Sequence, residues 1–167
     1  MPVFIYMTAS SVFVDIGPID DSDLLLRDVP VLSQEQNAYY TILNPNSASE
    51  DIQIALGAAT VMMAKLHGGE AIDLQEAVRL VAITKPLTDS FIEASKKAGY
   101  QCPLSVNRYN YATELCPLSY LRDIASATAL RAYVEAQAGG GAQGVQTAVS
   151  IMQFSALMED SRSATII

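Results

Sequence analysis

At 167 residues, half of them apolar and 17% charged, the chain is long enough for one domain with a sizeable core, too short for two comfortable ones, and globular rather than disordered. Its formal charge of −8 is uneven, because residues 1–70 carry nine acids against Arg27 and Lys65 while the remainder is nearly balanced. An acidic chain without a basic stripe repels polyanions, which argues against nucleic-acid binding and against docking on anionic membrane surfaces.

Residues 1–14 (MPVFIYMTASSVFV) form an apolar, β-branched run. The run is shorter than the roughly 20 residues that span a bilayer, and it lacks the basic start and small-residue cleavage site of a signal peptide. A strand or arm packed on the domain, the tail of a membrane anchor and a flexible terminus are all compatible with it. The acidic stretch DIGPIDDSDLLLRD follows, interrupted by Gly17-Pro18, and reads as a linker. Its Asp20, Asp21, Asp23 and Asp28 lack the glycine and distal glutamate of a calcium loop. Residues 1–32 are therefore expected to be an apolar run plus an extended acidic arm, and 33–167 a helical domain.

Ser33 and Gln36 have capping-box spacing, and NAYYTIL is expected to continue as a helix until Asn44-Pro45. Ser47 and Glu50 repeat the spacing before DIQIALGAATVMMAKL, with Ile52, Leu56, Ala59 and Met63 on one stripe and His67-Gly68-Gly69 as its stop. Asp73 and Glu76 open a third helix with Leu74, Ala77, Val78, Val81 and Ala82 inward. Pro86 either kinks it or starts another, and Leu87, Phe91, Ile92 and Ala94 carry the apolar face to Gly99. After a Tyr- and Pro-rich loop over 100–116, Pro117 precedes a helix to about Ala138, with Leu118, Leu121, Ala125, Thr128, Ala132 and Ala136 in a small-residue stripe. Gly139–Gly141 turn the chain into a last helix from Gln143 to about Asp160, with Val145, Val149, Met152 and Ala156 expected inward. The sum is an all-α fold of about five helices, an irregular bundle of αα-hairpins. The last pair is tetratricopeptide-like in geometry only, since no 34-residue repeat is present. The tail SRSATII, ending on two isoleucines, fits a truncated or mobile end or docking in an open groove.

Chemistry-bearing residues are few. Cys102 and Cys116 both occur as Cys-Pro-Leu-Ser. In an oxidising compartment they can bridge the Tyr-rich loop, for about 3 kcal/mol in the chain-entropy model, and otherwise they are two buried thiols. Two thiols and the distant His67 fall short of a zinc site, so no metal and no cofactor is expected. His67 suits a helix C-terminus better than acid–base work. Asn37, Tyr39 and Tyr40 are assigned to anchoring the entering chain, Asn37 by bonding a neighbouring backbone segment. Tyr100, Tyr109, Tyr111 and Tyr120, with Arg108 and Arg122, are the candidate partner-binding surface, because tyrosine and arginine dominate interface energetics. A loop pinned over the bundle by its own aromatics is the equal alternative.

DSDLLL at 21–26, VPVLSQEQNAYY at 29–40, Cys102-Pro103 after a helix, and LSYLRDIASATALRAYVEA at 118–136 followed by glycines together resemble a family of uncharacterised bacterial envelope proteins. The resemblance implies a helical, periplasm-facing domain tethered through one N-terminal membrane segment, with no known activity. The chain differs at its start, where a full anchor and a positive flank are absent. Away from the envelope the expected location is the cytoplasm. The expected function is a non-enzymatic protein-interaction or scaffold domain with an unidentified protein partner. The alternative is a small-molecule binder or hydrolase with an interhelical pocket. A homo-oligomer through Val3–Val14 and Ala164–Ile167 is a third option.

Overall fold

The computed structural model describes residues 32–42, 48–101 and 118–160. Within them the protein is all-α, with five helices and no strand: α1 (Ala38–Thr41), α2 (Glu50–His67), α3 (Leu74–Ala94), α4 (Leu118–Gln137) and α5 (Gly141–Asp160). Helix α2 places Glu50 and Asp51 in its first turn and Lys65 and His67 in its last, matching both ends of the helix dipole. It stops at Gly68-Gly69, where Gly69 takes φ 77°, a left-handed turn that a side chain would strain. Ser49 occupies the N-cap without a side-chain bond; the expected cap, Ser47, lies outside the described residues.

Helix α3 starts where the sequence places it. The Asp73 carboxylate accepts from Gln75 N at 2.8 Å and Glu76 N at 3.3 Å, satisfying two of the first-turn donors. Pro86 neither ends nor restarts the helix. It removes one N–H, and both Pro86 and Ala82, four residues earlier, are exposed, so water can reach the Ala82 carbonyl in place of the donor that proline lacks. The inward stripe is Ala77, Leu80, Thr84, Leu87, Thr88, Phe91 and Ala94. Leu74 and Val78, expected inside, are 45% and 49% exposed, and Ala82 is exposed as well. Thr84 can replace them inside because its hydroxyl donates back to the Leu80 carbonyl at 2.9 Å, leaving only methyl surface to pack.

Helix α4 buries Leu121, Ile124, Ala127, Thr128, Leu130 and Ala132, while Leu118 and Ala136, expected on its stripe, are exposed. Gly139 (φ 85°) turns the chain into α5. The expected face of α5 is the wrong one. Gly144, Thr147, Ser150 and Phe154 point inward, whereas Val145, Val149, Met152 and Ala156 are exposed. The cause is the closeness of α4. A Cβ at Gly144 would lie 2.6 Å from the Ala132 carbonyl oxygen and 3.2 Å from Ala136 Cβ, so the two backbones meet where only glycine fits. Small residues inside are a general property of the described helices, since seven of the sixteen buried apolar residues described are alanine.

The segment before α1 also departs from expectation. Residues 34–36 form a turn, with Gln36 N donating to Ser33 O at 3.0 Å, and the Ser33 hydroxyl donates to Gln36 Oε1 at 3.1 Å. Asn37, not Ser33, caps a helix of four residues. A tertiary contact outcompetes the helical start. Asn37 is extended and bridged in parallel to Gly99, with Ala38 N on Gly99 O at 2.9 Å and Ala98 N on Gln36 O at 3.1 Å.

Candidate functional site

Asn37 is 3% exposed, and its amide is used at both ends. Nδ2 donates to the Gln101 carbonyl at 2.7 Å, and Oδ1 accepts from Gln101 N at 2.9 Å and Tyr39 N at 3.0 Å. Beside this clamp runs a chain of rings. Tyr40 meets Tyr39 at 5.3 Å between centroids, Tyr39 meets Tyr100 at 6.1 Å, Tyr100 meets Phe154 at 5.7 Å, and Phe154 meets Phe91 at 4.5 Å. The first three contacts are edge-on, the geometry that the ring quadrupole favours. The rings therefore link the entering segment to α3 and α5.

Tyr100 belongs to this chain and not to an exposed patch, being 4% exposed. Burial, and secondarily Tyr39, pushes its hydroxyl up to about 12. Burial raises Tyr120 in the same direction. The unfolded chain then loses these protons first, so both contributions to stability are complete below pH 10 and are lost as pH climbs, that of Tyr100 toward 12. Tyr100 alone should remove roughly 3 kcal/mol over that interval. Thermal melting of the wild type from pH 9 to 12 should fall steeply, and Tyr100→Phe should flatten most of that fall; equal slopes would contradict the assignment.

The other expected contact residues are dispersed. Tyr120 is half-buried and packs on the core. Arg122 is exposed, 4.0 Å from the Asp123 carboxylate. Tyr40 is 48% exposed and Tyr39 partly buried. His67 is exposed at the end of α2. Arg108, Tyr109, Tyr111, Cys102 and Cys116 lie outside the described residues, as do residues 1–14 and the acidic arm. Among the described residues there is no cluster of metal-ligating side chains, no buried side-chain polar atom without a partner, and no helix long and apolar enough to cross a membrane.

The densest group of charges ties three helices together. Arg131 on α4 donates from Nη1 to Asp89 Oδ1 at 2.5 Å and to Thr88 Oγ1 at 3.1 Å, both on α3, and from Nε to Glu135 at 2.8 Å. Glu135 in turn accepts from Thr147 at 2.6 Å and Gln143 at 3.3 Å on α5, and Lys85 pairs with Asp89. Burial works to raise the Asp89 carboxyl, but the bonds from Lys85 and Arg131 outweigh it and hold it below the usual range. Arg131 and Glu135 side chains are only 14% and 15% exposed. Every member is engaged by another, which makes this a brace between the three helices. Arg131→Met should cost about 2 kcal/mol in urea unfolding by leaving Glu135 half-buried without its cation. Adding Glu135→Leu should return part of that loss, and simple additivity of the two substitutions would show that the pair does not act as a unit.

Two surface features stand out among the described residues, beside the exposed Ile54, Leu74 and Val78. A cavity of about 360 Å³ beside α2 and α3 is walled by Ala58, Val61, Met62, Ile72 and Leu80, with Lys65, Asp73 and Glu76 also lining it. Asp73 is occupied as the α3 cap, and Glu76 pairs with Arg79. The second feature is the outer side of α5, where Val145 is 65%, Val149 40% and Met152 72% exposed, flanked by exposed Ala142, Ala148 and Ala156. Hydrophobic periodicity singles out these same residues, but it assigns them to the core; only the close approach at Gly144 reveals that they face out. Searches with protein-family models, against curated proteins and against solved structures find no match to this chain.

Proposed function

We propose that the chain is a non-enzymatic helical interaction or scaffold domain of a bacterial envelope protein, and that the outer face of α5 is its docking surface. The observation that carries this reading is the apolar stripe Val145, Val149 and Met152 left in water on a helix whose other side already packs on the core. An exposed apolar stripe of this kind is costly unless something covers it. The engaged state of the polar network and of the cavity's carboxylates supports a binding role over a chemical one. Placement at the envelope, with tethering through residues 1–14, rests on the resemblance carried by DSDLLL and NAYY.

The test is in-cell crosslinking and affinity capture with the wild type and with Val145→Glu and Met152→Glu chains. Both substitutions are at exposed sites and should leave the melting temperature within about 2 °C. A discrete set of crosslinked species present with the wild type and lost with both variants is expected. Identical capture from all three chains would remove α5 as the docking surface.

A further inference from the structure

Helix α5 is jointed at one end and gripped at the other. The joint is Gly139–Gly141, three successive residues without a side chain to restrict the backbone. The grip is Phe154, the one large side chain buried among the described residues of α5. It lies 4.5 Å from Phe91 and 5.7 Å from Tyr100 between ring centroids. Ile151, Leu157 and Met158, three or four positions away and so on the same side of the helix, are half-buried against the core. Between joint and grip, the side turned to α4 is Gly144, Thr147 and Ser150, which bury little hydrocarbon. Thr147 and Gln143 donate to the Glu135 carboxylate. Water can replace both bonds, and Glu135 keeps Arg131 when they go. Val145 and Val149 are exposed already, so they lose no burial when the helix leaves.

The other helices hold one another without it. Helices α2, α3 and α4 each pack on the other two, whereas α5 lies along α4 and meets α3 over a smaller contact that includes the Phe154–Phe91 pair. Leu56, Leu80, Leu87, Ile124 and Leu130, the large aliphatic side chains buried in the core beside Leu121, all come from α2, α3 and α4. Departure of α5 therefore takes one ring from the edge of the core and leaves its centre filled. Once released, a single helix of 20 residues with Gly144 inside it is marginal in water and frays.

We infer that α5 is a hinged arm, which leaves α4 as one unit about Gly139–Gly141 when Phe154 withdraws from Phe91 and Tyr100, while α2, α3 and α4 stay folded. The docked arm covers those two rings and the open form uncovers them. Openings of part of a domain have free energies below that of unfolding the whole. The outer face of α5 is in water in both forms, so the inference holds whatever docks there.

Hydrogen exchange of the full chain in rising, sub-denaturing urea tests this. In the wild type, the amides of Val149 to Phe154 should open at a lower free energy than those of Leu80 to Thr84 in α3. Their opening should also depend less steeply on urea, because it uncovers less surface than global unfolding does. Phe154→Ala should speed exchange throughout α5 at least a hundredfold. Combined with Gly144→Val it should strip α5 of protection and cost no more helix than the 20 residues of α5. The α3 amides of that double variant should remain protected by at least about a hundredfold. One shared opening free energy and urea slope for α3 and α5 in the wild type would overturn the inference. So would a double variant in which α3 loses its protection together with α5.

Discussion

Gly144→Val should lower the unfolding free energy by about 3–4 kcal/mol, and Gly144→Ala by about 2 kcal/mol. Alanine normally gains about 1 kcal/mol over glycine inside a helix, so two effects oppose each other at this position. The steric one wins because the new Cβ would lie 2.6 Å from a backbone oxygen, that of Ala132, and backbone cannot rotate aside as a side chain does. Gly57, in the middle of α2, is the control. A Cβ there would meet nothing within 4 Å, so Gly57→Ala should raise stability by about 1 kcal/mol. Urea unfolding of the three variants measures both signs. Equal shifts at Gly57 and Gly144 would mean that α4 and α5 do not touch where the backbones are placed.

The second large effect is expected at Asn37. Asn37→Ala removes three hydrogen bonds at once, two of them to Gln101 and one to Tyr39 N. At about 1 kcal/mol for each backbone group left without this partner, the loss should be about 3 kcal/mol and roughly 10 °C in melting temperature. Asn37→Asp separates donor from acceptor. Its carboxylate can still accept from Gln101 N and Tyr39 N, but it sets an oxygen against the Gln101 carbonyl where an N–H had been. It should therefore destabilise as well, by a different route. Amide exchange is the direct readout: the Ala38 and Ala98 N–H groups should exchange faster in both variants, and that of Gln101 most in Asn37→Ala, while those in the middle of α4 are unaffected. Unchanged exchange at Gln101 would show that the clamp holds nothing in place.

Local chemistry made the helix ends legible. Asp73 caps α3 because its carboxylate reaches the first-turn N–H groups of Gln75 and Glu76, and Gly68-Gly69 and Gly139 stop helices because the left-handed turn at Gly69 and Gly139 needs glycine. The facing of α5 was not legible. It has apolar residues on both sides, and the more hydrophobic side, Val145-Val149-Met152, is the wrong guide when the packing partner is another helix at backbone contact. There size decides, and Gly144, Thr147 and Ser150 are the smaller set. The start of the domain failed for another reason. Ser33 and Gln36 match a capping pattern, but residues 98–101 offer Gln36, Asn37 and Ala38 a set of backbone partners that no window of neighbouring sequence contains. Tyr100 combines both lessons. Its residue type suits an interface as well as a core, and only the arrival of Phe154 and Tyr39 on either side assigns it to the interior.

The alanine-rich interior has a consequence for temperature. Among the described residues, seven buried alanines and the back-bonded threonines Thr84 and Thr128 bury little hydrocarbon for each residue they fix, and the heat capacity of unfolding follows the hydrocarbon that is uncovered. It should therefore lie below the usual 12–15 cal/mol/K per residue, roughly. A small heat-capacity change flattens the stability curve. This helical domain should hold nearly constant stability from the cold to body temperature, with cold denaturation pushed far below the freezing point of water.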